Sequence, residues 1–101
     1  MKINTQTVHF DADIKLLTFV DEKVSKLTTY YENIVDADVT LRLDKSSTQD
    51  NKIAEVKLRV KGNELFAKKQ CLSFEEAVDA CVDALKTQLR KHKEKVQEKI
   101  A

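Results

Sequence analysis

Residues 85–95 read LKTQLRKHKEK, and six of the eleven are Lys, Arg or His. On a helix turning 100° per residue, Lys86, Arg90 and Lys93 fall along one flank of an apolar stripe. Lys91, Lys95 and Lys99 fall along the other, with His92 on the stripe itself. Two rows of cations at one helix end suit a polyanion: they neutralise several phosphates together, and the released counterions supply affinity that falls with salt. Lys23 and Lys26, on an earlier helical stretch, would extend the rows. A blander reading competes, because bases in the last turns of a helix are favoured by its dipole, by about 0.3 to 1 kcal/mol each. Long Lys stems also simply cover surface. A second candidate surface gathers Lys57, Arg59 and Lys68 around Phe66, an aromatic among cations on which a base can stack. An exposed strand residue is the bland reading of that Phe.

Other chemistry has little to stand on. The two histidines, His9 and His92, sit in no local pattern of nucleophile and base. One glycine cannot build a phosphate-cradling loop. Cys71, Cys81 and His92 are separated by ten and eleven residues, unlike the short paired spacings of zinc sites. The expectation is a binding protein and not an enzyme, with no cofactor, no metal and no small-molecule substrate. Two cysteines are too few for a disulfide framework and are expected as free thiols, buried rather than bridged. No apolar run approaches the roughly 18 residues of a membrane span, and the N-terminal residues lack the apolar segment of a secretory signal. A cytoplasmic protein with no membrane partner is expected.

The elements that position the cations follow from periodicity. With 101 residues, 42% hydrophobic and 35% charged, the chain supports one core and hence a single domain, 1–101. The net charge is only +1, but it is sorted into blocks: −3 over residues 1–51, +4 over 52–69, −4 over 70–85 and +4 over 86–101. INTQTVHF has strand composition. Asp11 or Asp13 then caps a helix over residues 13–31, whose stripe is Leu16, Val20, Val24, Leu27 and Tyr31. From Ala37 the period drops to two, with Ala37, Val39, Leu41 and Leu43 inward. DKSSTQDN is a polar loop. KIAEVKLRVK alternates again, with Ala54, Val56, Leu58 and Val60 inward. Gly62 and Asn63 suit a two-residue hairpin turn, which sets Val60 against Leu65 and Leu58 against Ala67. Ser73 and Glu76 form a capping box that opens a helix over residues 73–99. That helix is about 40 Å long, against about 25 to 30 Å for the strands. Its basic last turns should therefore overhang the sheet, with Val96 and Ile100 the only continuation of its stripe.

The predicted class is α+β, in the order β-α-β-β-β-α, with two helices packed on one face of a four-stranded sheet. The strands are expected in order 1-2-3-4, the first parallel to the second through a right-handed crossover. A monomer is expected.

Three stretches carry a resemblance. AVDACVDALKTQLRKHKEK (77–95), FVDEKVSKLTTYYENI (19–34) and VKGNELFA (60–67) resemble the ribosome hibernation promoting factors, the family that includes ribosome-associated inhibitor A. The likeness covers essentially the whole chain, and the family fold is β-α-β-β-β-α. It implies binding to the small ribosomal subunit at the channel for messenger and transfer RNA, with inhibition of translation by occlusion in slow growth. By the same likeness Lys23, Lys26, Lys86, Arg90, Lys91, His92 and Lys93 would face ribosomal RNA. Lys69 and Cys71 stand where relatives often have small residues, so different packing is expected at that strand end. By the same likeness a short form ending at Ala101, without the long members' second domain, is expected, and pairing of ribosomes would then need another factor. Two rivals remain open at this stage. One is a double-stranded RNA-binding domain, whose cations lie at the start of the final helix, where this chain has SFEEAVDA. The other is a protein–protein adaptor with a basic helix.

Overall fold

The computed structural model describes residues 1–45 and 49–100, with side chains through Lys95. Ser46, Ser47 and Thr48 of the predicted loop, and the Val96, Lys99 and Ile100 side chains of the predicted stripes, lie outside the described residues. The elements are β1 (Lys2–Val8), α1 (Ile14–Ser25), a 3-10 turn (Lys26–Thr29), β2 (Ile34–Leu43), β3 (Lys52–Val60), β4 (Asn63–Cys71) and α2 (Phe74–Ile100). The sheet order is β1-β2-β3-β4. β1 pairs parallel with β2, Ile3 opposite Ala37, and the other pairs are antiparallel.

Alternation decides the faces. Ala37, Val39 and Leu41 of β2, Ala54, Val56, Leu58 and Val60 of β3, and Leu65 and Ala67 of β4 are buried on one side. Val20, Val24 and Leu27 cover them from α1 and the turn after it, and Val78, Cys81, Leu85 and Leu89 from α2, all in one cluster. Both helices thus share one face, as their single apolar stripes require. Phe10 stacks on Phe74 with ring centroids 4.4 Å apart, fastening the β1–α1 connection to the start of α2. Asp13 Oδ1 accepts from Leu16 N at 2.8 Å, the predicted cap, and Ser73 Oγ accepts from Glu76 N at 3.2 Å, the Ser73 half of the predicted capping box.

Three details differ from the sequence-based expectation. The first helix is α-helical only to Ser25 and then tightens into the 3-10 turn instead of running to Tyr31. The cause lies in its hydroxyls: Ser25 Oγ, Thr28 Oγ1 and Thr29 Oγ1 each donate to the carbonyl three residues earlier, which favours the tighter turn. β2 begins at Ile34, three residues early, because Ile34 is buried opposite Val60 and an irregularity before Asp36 absorbs the exposed Val35. In the last hairpin Val60 faces Asn63, Leu58 faces Leu65 and Val56 faces Ala67, a shift of two residues from the expected register. Within this hairpin only Gly62 takes positive φ, at 84°, so Lys61 and Gly62 form the turn, and Asn63 begins the strand. A shift of two preserves which face is buried, so the core is unaffected.

The Cys81 thiol is fully buried and donates to the Ala54 carbonyl at 3.3 Å. Burial pushes it up to about 11, while Cys71 is only half-buried and both are free. Iodoacetamide near pH 8 is therefore expected to alkylate Cys71 in the native protein and Cys81 only in denaturant. Intact-mass measurement checks this, and rapid native labelling of Cys81 would contradict the packing described.

Candidate nucleic-acid interface

The long axis of the molecule is set by α2. The overall extents are 51 × 24 × 17 Å, and a helix of 27 residues outruns the strands it packs on. Leu89, 1% exposed, is its last fully buried side chain among the described ones. Arg90, Lys91, Lys93 and Lys95 beyond it are all exposed, and His92 alone is half-buried. The overhang read from the sequence is present, and Arg90, Lys91, Lys93 and Lys95 sit on it, whereas Lys86 lies before it.

The cations are not equivalent. Lys86 lies 3.7 Å from Asp83 one turn earlier and its ammonium stands 5.1 Å from the Tyr30 ring centroid, a cation–π contact. Lys23 bridges the helices to Asp79 at 3.4 Å and lies 5.6 Å over the Phe19 ring. Each keeps about a third of its side chain exposed. Lys23, Lys26, Tyr30, Val82 and Lys86 line one groove between α1 and α2, so the predicted partners from the two helices are brought together. Lys93 borders the next hollow along, beside Tyr30, Tyr31 and Asn33. Lys26, Arg90, Lys91 and Lys93 form no salt bridge among the described residues. These four are the cations best placed to exchange water and counterions for phosphate.

His92 is placed differently from its neighbours. Its ring meets Tyr31 edge-on with centroids 5.4 Å apart, and its Nε2 is buried without a hydrogen-bond partner among the described atoms. It braces the base of the overhang against the loop before β2. The aromatic pair Tyr30 and Tyr31, one holding Lys86 and the other His92, escaped the sequence reading, which placed Tyr31 on the helix stripe and gave neither ring a partner. Their adjacency to the Thr-rich 3-10 turn was the available signal.

The second candidate surface, the outer face of the sheet, is far from these residues in character. Arg59 is committed: its Nη2 donates to Asp38 Oδ2 at 2.8 Å, and its Nε lies 2.6 Å from Asp36 Oδ1, a close ion pair off the angle of a hydrogen bond. Lys57 and Lys68 are exposed. Asn4 Nδ2 also donates to Asp38, at 3.3 Å, and the Asn4 and Arg59 bonds together hold the Asp38 carboxyl below its ordinary 3.8. A group depressed in this way stabilises the fold above the ordinary value and loses that contribution as pH falls beneath it. A carboxyl-detected NMR titration is expected to place the Asp38 midpoint below 3.8 and to find it raised in Asn4→Ala. An unmoved midpoint would remove Asn4 as the leading cause.

Nothing in this geometry resembles a reacting centre. Among the described residues no cluster of His, Cys, Asp and Glu could hold a metal ion, and no helix is long and apolar enough to cross a membrane. What the molecule offers is a charged helix end on a small mixed sheet. A model of the family described as sigma 54 modulation protein / S30EA ribosomal protein matches residues 3–97. The chain belongs to that family.

Its relatives bear names that agree. The ribosome hibernation promoting factor of Pseudomonas putida is 29% identical over 97 residues, covering 96% of this chain and 91% of that one. The factor of Salmonella typhimurium is 30% identical over 98 residues, covering 97% and 99%. The ribosome hibernation promotion factor of Bacillus subtilis is 29% identical over 99 residues, which is 98% of this chain and 52% of the longer relative. Two solved structures share the fold. The N-terminal domain of Thermus thermophilus Protein Y matches with a TM-score of 0.77 at 22% identity, over 91% of this chain and 99% of that one. A ribosomal subunit interface protein from Coxiella burnetii matches with a TM-score of 0.79 at 20% identity, over 92% and 98%. The likeness to the ribosome hibernation factors, read first from three stretches of sequence, thus extends to family and fold alike.

Proposed function

We propose that this protein is a cytoplasmic ribosome hibernation factor that binds the small subunit in the channel for messenger and transfer RNA and stops translation by filling it. The observation that carries the reading is the overhanging end of α2, where Arg90, Lys91 and Lys93 stand exposed without salt bridges beside a groove holding Lys23, Lys26 and Lys86. In a family of ribosome hibernation factors, that constellation suits ribosomal RNA phosphates. The protein acts as a monomer by occupancy, so no bond is made or broken and no cofactor takes part. A double-stranded RNA-binding role fits less well, since Glu75 and Glu76 occupy the first turn of α2. A protein–protein adaptor would leave the salt dependence of ribosome binding shallow.

Sedimentation with purified subunits tests this directly. The protein is expected to pellet with small subunits and not with isolated large subunits. Loading the small subunit beforehand with messenger and initiator transfer RNA should block it, and adding the protein first should lower synthesis in a cell-free system. Undiminished binding to loaded subunits would overturn occlusion, and binding that ignores salt would overturn the phosphate contacts.

A further inference from the structure

The face of the sheet turned away from the helices carries an aromatic side chain with nothing packed on it. Phe66 is 49% exposed near the middle of β4 and is the only exposed aromatic of the sheet among the described residues. Lys57 is its direct cross-strand partner, and Lys68 follows two residues along on the same side. A cleft of about 390 Å³ runs from Phe66 and Lys57 across Thr40 to Asn4 and Gln6.

The charges on this face are sorted in a way the net charge conceals. Asp36 and Asp38 share the single Arg59, and Glu55 pairs with Arg42 at 3.0 Å. Lys57 and Lys68 form no salt bridge among the described residues, and neither does Glu64, which precedes Phe66 by two residues on the same side of β4, so two unbridged ammonium groups and one unbridged carboxylate surround Phe66. Gln6 and Thr40, cross-strand neighbours, make no side-chain hydrogen bond among those residues either. The cleft therefore combines one open π-face, neutral donors and acceptors, and one cation, Lys57, with Lys68 beside it on β4; the ion-paired carboxylates of Asp38 and Glu55 also line it. An apolar protein anchor would have a single Phe to bury against. A flat heterocycle carrying polar edges and flanked by phosphates uses all three kinds of group.

We propose that this face is a second RNA-binding site, selective for unpaired bases, in which a base stacks on Phe66, the Asn4, Gln6 and Thr40 side chains meet its edge, and Lys57 and Lys68 take the flanking phosphates. The site goes beyond the role given to α2 and uses none of its residues. Where α2 offers charge to any phosphate backbone, the sheet face distinguishes single-stranded from paired RNA, because a base locked in a duplex cannot lie on Phe66.

The chain contains no tryptophan, so Phe66→Trp places a single tryptophan at the site, excited at the red edge apart from the two tyrosines. Titration with an oligoadenylate of about 12 nucleotides, within the reach of single-strand sites, is expected to quench its emission. Inorganic polyphosphate, which has charge but no bases, should not. Binding of labelled oligoadenylate should weaken about tenfold or more in Phe66→Ala and in Phe66→Leu, the loss of one stacked base. The Leu variant keeps an apolar strand residue and so separates stacking from folding. Lys57→Gln with Lys68→Gln should lower the salt slope by about 1.4, two single-strand phosphate contacts. The quench should persist when Lys86, Arg90 and Lys93 are all Gln, whatever those changes do to ribosome pelleting. Unchanged affinity in Phe66→Leu, equal quenching by polyphosphate, or loss of the quench in the α2 variant would each overturn the proposal.

Discussion

Changing Lys86, Arg90 and Lys93 together to Gln is expected to weaken small-subunit binding on the order of a hundredfold at about 0.1 M salt and to flatten its salt dependence. The slope should fall by about one for each phosphate contact removed. The structure shades this figure. Arg90 and Lys93 are exposed without salt bridges, whereas Lys86 already has Asp83 at 3.7 Å and the Tyr30 ring. A loss of about two to three is expected, with Lys86 contributing the smallest part. Stability should change by no more than about 1 to 2 kcal/mol, since one partly exposed ion pair and one cation–π contact are removed, and Arg90 and Lys93 stand more than a turn from the helix end, where its dipole is weakly felt. The competing account makes the opposite forecast. If the cations serve the helix alone, the variant melts early and binds like the parent across the titration, and the RNA role of this flank is then lost.

That experiment depends on α2 ending in the open, and this was readable from the sequence because it follows from length. A helix predicted over residues 73–99 cannot be matched by strands of nine or ten residues. The strands were legible for a similar reason: Val39, Leu41, Val56 and Leu58 alternate with charged or polar neighbours, and one buried face leaves no other arrangement. What escaped were features fixed by local competition. The hydroxyls of Ser25, Thr28 and Thr29 reach their own backbone and tighten the end of α1, which a hydrophobic stripe does not record. The hairpin register hinged on which of two residues beside Gly62 joins the turn, and both choices bury the same side chains. At the candidate site the cations themselves were visible in the sequence, but their partners were not. Asp79 and Lys23 are far apart along the chain, and only the packing of α1 on α2 shows that Lys23 is partly neutralised. His92 was read correctly as lying on the apolar stripe, and Tyr31 explains what it does there.

Stability should respond most to the opposite side of the same helix. Leu85 is fully buried in the middle of α2, within the cluster that joins both helices to the sheet. Leu85→Ala removes buried methyl groups and leaves a cavity that a close-packed core closes only in part, which typically costs about 2 to 5 kcal/mol. For a domain of this size that lowers the melting temperature by roughly 10 to 30 °C. Leu85→Met nearly conserves volume and should cost less than about 1.5 kcal/mol. Ribosome affinity measured well below the lowered melting point should stay within a few-fold of the parent, because the substitution leaves Arg90, Lys91 and Lys93 on an unbroken helix. Calorimetry and pelleting on the same two variants decide the matter. A small loss of stability in Leu85→Ala would mean that α2 does not press on the sheet as described. A large loss of binding in the folded variant would mean that the cations need the core's exact shape, and not only a helix long enough to carry them past its edge.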